Sequence, residues 1–282
     1  MATIDIRTAL AQATEALERA TVAAPRLTAE VLLAHALGRD RTWLFAHPEQ
    51  ELSDLERLHY GRYLHERISG RPVQYITGRQ EFYGREFRVT PAVLIPRPET
   101  ELVVEAALAV EPRGVIVDAG CGSGAIAITL ELETRARVFA TDISQAALEV
   151  ASQNARRLGS PVLFVCMDLV SALAAASVDL IVSNPPYVAD GEEAGLQREV
   201  RDFEPRAALF AGPTGFEVYE RLIADAPRVL RPGGRLILEL GFRSRDRVLA
   251  MFDGRWRNLQ VRGDLAGIPR VLAAELAPAG SA

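Results

Sequence analysis

The chain of 282 residues contains no lysine; its 32 basic residues are all arginines. That absence excludes a Walker phosphate loop, a Schiff-base lysine and a Ser-Lys dyad, each of which needs a lysine amine. Histidine is nearly as scarce. His35, His47, His59 and His65 all fall in the first quarter, in no usual zinc spacing, and read as solvated or packing residues. Any chemistry in the last three-quarters proceeds without histidine, which argues against a serine-hydrolase triad there. Cys121 and Cys166 are the only cysteines, far apart in sequence, and both read as reduced core or loop residues. No apolar run approaches roughly 18 residues, so no membrane span is expected. The start, Met1 to Arg7, shows no basic segment leading into an apolar one, and a cytoplasmic location follows as the expectation. A formal net charge of −5 argues against a basic nucleic-acid-binding surface.

What is present divides into two textures. Across residues 4–70 apolar side chains recur at helical spacing: Ile6, Ala9, Leu10, Ala13 and Leu17, then Leu27, Val31 and Leu32, then Leu55, Leu58 and Leu64. A small helical domain over 1–70 is expected, with no catalytic residues and a partner-binding role preferred to packing alone. Gln74 to Gly78 and Glu81 to Val89 are rich in aromatic and β-branched residues broken by glycine, which predicts a β-hairpin in a linking region, 71–98. The prolines of Leu94-Ile95-Pro96-Arg97-Pro98 force an extended turn before a helix from Glu99 to Val110.

From residue 99 to 282 strands alternate with helices. Strands are expected at 114–119, 136–141, 161–166, 178–183, 234–240, 256–261 and 270–275, and helices at 124–132, 144–157, 216–230 and 244–252. Such alternation implies an α/β domain with a mainly parallel sheet covered on both faces.

Three strand ends carry chemistry. Val115 to Ala119 runs into Gly120-Cys121-Gly122-Ser123-Gly124, where glycine lets a ligand approach the backbone. The second strand ends at Asp142, an acidic tip that can accept both ribose hydroxyls of NAD or of S-adenosylmethionine. The third ends at Asp168, either an acceptor for the amine of adenine or a helix cap. The fourth decides between them. Val178 to Ser183 leads into Asn184-Pro185-Pro186-Tyr187, in which the Asn184 side-chain oxygen and the Pro185 carbonyl are two acceptors on a stiff backbone. Tyr187 adds a flat wall. Two acceptors and an aromatic face suit an NH2 group on a planar π-system. An NAD-dependent oxidoreductase would leave this motif idle.

These residues resemble a known family. Asp118 to Gly124, Asp142 and Asn184 to Tyr187 look like the Rossmann-like amino-group methyltransferases. Phe82-Tyr83-Gly84, Leu94 to Glu101, Phe203 to Leu209 and Asp264 to Gly267 narrow the resemblance to the peptide chain release factor glutamine methyltransferases, the HemK/PrmC family. The match spans about residues 70–275 with its motifs in order. The expected fold is therefore a Rossmann-like methyltransferase sheet of seven strands with a small N-terminal helical domain and a linking hairpin. The resemblance implies transfer of a methyl group from S-adenosyl-L-methionine, leaving S-adenosyl-L-homocysteine and needing no metal, to the glutamine amide of the Gly-Gly-Gln motif in release factors. It places Asp118, Gly120, Cys121, Gly122, Ser123, Gly124, Asp142, Asp168, Leu169 and Asn184 around the cofactor. Around the acceptor it places Arg97, Glu99, Thr100, Asn184, Pro185, Pro186 and Tyr187, with Asn184, Pro185 and Tyr187 at the reacting nitrogen. The helical domain would hold the release factor, and neither membrane nor nucleic acid is an expected partner. Methylation of a ribosomal-protein glutamine, or of adenine N6 in nucleic acid, stands second. Two positions depart from the family: Leu169 where a tryptophan is frequent, and Phe242-Arg243-Ser244 where a glutamine is common.

Overall fold

The computed structural model describes residues 4–278, so the outer bounds expected at 1 and 282 lie outside the described residues. By contact the chain divides into two units, Met1–Gly78 with Gln197–Phe203, and Arg79–Leu196 with Glu204–Ala282. This division differs from the one expected from texture: residues 71–78 and the distant 197–203 both join the helices.

The first unit carries α1 (Ile6–Arg19), α2 (Pro25–Leu37), α3 (Arg41–Ala46), α4 (Asp54–Ile68) and α5 (Val73–Thr77). Local signals start the helices. The Asp5 carboxylate accepts from the Thr8 N–H at 2.8 Å, and Ser53 and Glu56 form a reciprocal capping box on α4. The stripe Ile6, Ala9, Leu10, Ala13 and Leu17 is buried against Ala29, Leu32, Leu33 and Leu44, the core of this unit. Glu30 is buried too, and its two oxygens accept from Arg26 at 2.7 Å and Arg41 at 2.7 Å. Arg67, also buried, donates to Glu199, while Arg198 Nη2 donates to the Ser69 carbonyl at 2.8 Å.

One expectation is corrected here. Gln74 to Gly78, read as part of the hairpin, lies in the helix α5 and its cap. Pro72 stands at its N-cap, Gly78 closes it in the left-handed region (φ 74°), and Val73 and Ile76, three residues apart, pack onto the helical core. Tertiary burial on one helical face overrides β propensity.

The second unit opens with the hairpin β1 (Arg79–Phe82) and β2 (Arg85–Arg88), turned at Tyr83 and Gly84, both at positive φ as a two-residue hairpin loop requires. A 3₁₀ turn, Pro98–Thr100, leads into α6 (Glu101–Leu108). Then follow β3 (Val115–Ala119), α7 (Ala125–Glu133), β4 (Arg137–Asp142), α8 (Gln145–Leu158), β5 (Leu163–Cys166) and β6 (Val178–Ser183). After β7 (Val188–Ala189) come α9 (Arg198–Phe203, in the first unit), α10 (Arg206–Leu209) and β8 (Phe210–Gly212). The chain closes with α11 (Glu217–Val229), β9 (Leu230–Glu239), α12 (Arg245–Leu249), β10 (Trp256–Gly263) and β11 (Pro269–Leu276).

Seven strands form one sheet in the order β10-β11-β9-β6-β3-β4-β5, parallel except for β11, which runs antiparallel to both neighbours. Successive residues alternate between its faces. Ile116, Leu180, Val182 and Ile237 pack with α6, α7 and α8, whereas Val117, Ile181, Leu236 and Leu238 pack with α11 and α12. All seven sheet strands expected from the sequence are present. The chain enters at β3, winds outward to β5, and returns on the other side at β6. The strand order therefore reverses between β3 and β6, and a ligand crevice belongs beyond their carboxyl ends.

Candidate active site

The glycine loop leaves β3 at that reversal. The Gly120 and Cys121 N–H groups both donate to the Thr141 carbonyl at 2.9 Å, tying the loop to β4. A Cβ at Gly120 or Gly122 would meet nothing within 4 Å, so space is open beside this backbone. Gly124 does a different job. A Cβ there would lie 2.9 Å from Ile128 and 3.1 Å from Ala151, so its bareness serves the packing of α7 on α8. Cys121 is buried, and burial pushes its thiol well up, which keeps it unreactive. Ser123 is buried with its carbonyl accepting from Asn154 at 3.0 Å.

Two carboxylates flank the loop. Asp142 Oδ2 accepts from the Gly122 N–H at 2.9 Å and Oδ1 from the Ser144 N–H at 2.8 Å, which aims the group while each oxygen keeps a lone pair. Asp118 is fully buried. Its Oδ2 accepts from the Ala127 N–H at 3.1 Å, but Oδ1 has no partner among the described residues. Burial, with a smaller contribution from the neighbouring Asp142 charge, pushes this carboxyl up to about 7. An orphaned buried acceptor, open glycine backbone and an aimed carboxylate together fit a ligand carrying a cationic donor and a ribose.

Asp168 stands at the third strand's end, where both its oxygens accept from Arg221, at 2.7 and 3.0 Å. Leu169 follows in the left-handed region (φ 48°), half-buried, its carbonyl accepting from Thr141 at 2.8 Å.

The acceptor motif is joined to the glycine loop by one bond: Ser183 Oγ donates to the Ala119 carbonyl at 2.6 Å, across the point where the strand order reverses. Asn184 Nδ2 donates to Thr100 Oγ1 at 3.1 Å, and Thr100 Oγ1 donates to Glu239 Oε2 at 2.6 Å. Pro185 is buried and Pro186 half-buried. Among the described residues no donor reaches Asn184 Oδ1 or the Pro185 carbonyl. The Tyr187 ring lies on the backbone of Gly241, where a Cβ would come within 2.7 Å of it, and is 36% exposed. Tyr219, fully buried, fixes that backbone by donating to the Glu239 carbonyl at 2.7 Å and accepting from the Gly241 N–H at 3.1 Å.

Arg97 donates to Glu204, whose other oxygen accepts from the Ile95 N–H at 3.3 Å, so the proline-rich segment is anchored to the start of the stretch 204–209. Glu99 is half-buried near Glu239. Sequence reasoning missed two residues here. Glu204 and Glu239 are both buried, and each holds a residue that the sequence had marked. The available signal was one acid at the end of the apolar strand β9, next to Gly241.

Comparison with known proteins agrees with this fold. Residues 98–200 match the model of the methyltransferase small domain, and residues 8–78 that of the PrmC N-terminal domain. A methyltransferase from Pyrococcus furiosus shares the fold, with a TM-score of 0.51 at 19% identity, covering 70% of this chain and 91% of that one. The fold and the family match thus define a Rossmann-like methyltransferase. The release factor glutamine methyltransferase of Koribacter versatilis is 46% identical over 95% of this chain and 97% of its own length. That of Nitratidesulfovibrio vulgaris is 44% identical over 94% and 93%. The chain belongs to the release factor glutamine methyltransferase family.

Proposed function

We propose that the protein transfers the methyl group of S-adenosyl-L-methionine to the side-chain amide nitrogen of the glutamine in the Gly-Gly-Gln motif of peptide chain release factors. The observation that carries this reading is the commitment of the Asn184 NH2 to Thr100. It leaves Oδ1, beside the Pro185 carbonyl, as an acceptor for a substrate N–H.

Bound S-adenosyl-L-methionine supplies an electrophilic sulfonium methyl. Gly120, Gly122 and Asp142 would hold its methionine and ribose parts, and the orphaned Asp118 Oδ1 would meet its ammonium directly or through water. Asp168 and Leu169 would border the adenine. Cys121, Ser123 and Gly124 complete the loop.

An amide nitrogen is a weak nucleophile because its lone pair is delocalised into the carbonyl, so the protein's task is alignment. Well-oriented reactants can save roughly 7–11 kcal/mol of barrier. Asn184 Oδ1 and the Pro185 carbonyl each accept one hydrogen of the substrate NH2, fixing the nitrogen and the direction of its lone pair. Both bonds strengthen as the nitrogen gains positive charge, which is differential stabilisation of the transition state. Tyr187 stacks on the amide plane, and Pro186 keeps the backbone stiff. Once alkylated, the nitrogen is acidic enough to lose its proton to water, so no histidine base is needed. Arg97, Glu99 and Thr100 border the acceptor, and the helical unit docks the body of the release factor.

The test offers isotopically labelled S-adenosyl-L-methionine to the purified protein with intact release factor, a release factor whose motif glutamine is replaced by alanine, ribosomal proteins and DNA. Label is expected in the intact release factor alone. Label in ribosomal protein or DNA instead would overturn the reading.

A further inference from the structure

The Asn184 carboxamide has two nearly isosteric ends. Turned by 180° it would point NH2 at the substrate NH2 and repel it, so something must hold its polarity. Three side chains from separate parts of the chain meet to do so: Asn184 after β6, Thr100 in the turn before α6 and Glu239 at the end of β9. Counting protons settles the direction. An ionised carboxylate has none and accepts. The Thr100 hydroxyl has one, which goes to Glu239 Oε2 at 2.6 Å, leaving its lone pairs to face Asn184. Asn184 is then obliged to present NH2 to Thr100 and oxygen to the other side.

We propose that Glu239, acting through Thr100, is a positioning residue that sets the orientation of the Asn184 carboxamide and so keeps the substrate-facing acceptor in place; the proposal rests on the acceptor role of Asn184 given above. Protonation of Glu239 reverses the chain. A neutral Glu239 donates to Thr100, the Thr100 proton is released toward Asn184, and the carboxamide turns over.

The surroundings hold Glu239 close to that switch. Burial pushes its carboxyl up to about 7 against the Thr100 bond that lowers it. Glu99, in the same segment as Thr100, raises it further, while Arg270 of β11 and Arg97 lower it. Tyr187 faces it from the acceptor motif, and Tyr219 of α11 bonds its backbone carbonyl. Fold stability alone would be served as well by an apolar residue at the end of an apolar strand, whereas a lone carboxylate bonded to one hydroxyl costs desolvation.

Two measurements test the relay. In the first, Glu239→Gln and Thr100→Val are assayed for release-factor methylation across pH 5.5–9. Wild-type kcat should fall as pH drops through about 7. Both variants should show roughly tenfold lower kcat, the effect of losing one orienting hydrogen bond, with KM for release factor and affinity for S-adenosyl-L-methionine unchanged and no titration near neutrality. Thr100→Ser, which keeps the hydroxyl, should retain most of the rate and the pH dependence. In the second, the Asn184 side-chain NH2 signals are followed by nitrogen-15 NMR in the full chain without substrate. They should titrate with Glu239 in wild type and become indifferent to pH in Thr100→Val. A pH-independent Asn184 signal in wild type overturns the relay even if methylation of release factor is confirmed. Titrating signals with no methylation of release factor would leave the relay standing and the substrate wrong.

Discussion

The helical unit and the carboxyl edge of the sheet both bury charge, and they treat it in opposite ways. In the helices burial pushes the Glu30 carboxyl up, but the bonds from Arg41 and Arg26 outweigh it and leave the group below its ordinary value. Arg67 likewise has Glu199. At the sheet edge Asp118 and Glu239 have, among the described residues, one backbone N–H and one hydroxyl as donors, and burial raises both to about 7. A paired buried charge locks a packing arrangement. An unpaired one is costly to keep unless a ligand or a reaction uses it. The contrast marks out Asp118 and Glu239, while the equally buried Glu204 has Arg97 as its partner.

The largest effect expected from breaking the contrast lies at the edge. Asn184→Ala removes one of two acceptors and should lower kcat by about 10²–10³. Affinity for S-adenosyl-L-methionine, measured by calorimetry, should fall much less, because the glycine loop is untouched. A near wild-type rate on the release-factor glutamine would defeat the mechanism.

Next in size is Asp118→Asn. The Asp118 folded value of about 7 lies above its ordinary 3.8, so its contribution to stability is full below pH 4 and lost as pH rises through 7. Replacing it should therefore stabilise the ligand-free protein at pH 8, on the order of 2 kcal/mol or several degrees in Tm, and change little at pH 4. Binding of S-adenosyl-L-methionine should weaken at the same time. An equal gain at both pH values would show that ionisation is not the cause.

The helices should respond in the opposite sense. Glu30→Gln keeps the shape but removes the charge that Arg26 and Arg41 share, and about 1–2 kcal/mol should be lost, because both arginines are half exposed. The loss should shrink as pH falls through the depressed carboxylate value, while kcat stays at wild type. Smallest is Ser53→Ala, which opens the capping box of α4 at a cost of about 1 kcal/mol in chemical denaturation. A change in kcat for either variant would mean that the helices take part in more than support.

The centre of the sheet is legible in the sequence because β3, β4 and β6 are largely apolar runs that lead to Gly120, Asp142 and Asn184, whereas the edge strand β10 is mostly polar and exposed. β3 and β6, buried on both faces, depend little on distant partners. The segment 73–77 was misread for the converse reason. Its aromatic and β-branched residues favour a strand locally, and only the helical core shows that Val73 and Ile76 share one buried face. The stretch 190–209 carried few apolar residues at any period, and the short helices there depend on long-range pairs such as Arg67 with Glu199.

By itself the sequence determined the candidate strand ends, the motif Asn184 to Tyr187 and the lack of lysine, because these depend on residue type and short spacing. Tertiary structure alone decided which way Asn184 faces. Thr100 and Glu239 lie 84 positions before it and 55 after it, and their single shared proton has meaning only once two strand ends and the turn before α6 converge. It also decided that Asp168 meets Arg221, and that Gly124 lets α7 pack closely on α8. Hydrogen-bond polarity and close approach are properties of atoms within about 3 Å. Sequence distance does not encode them.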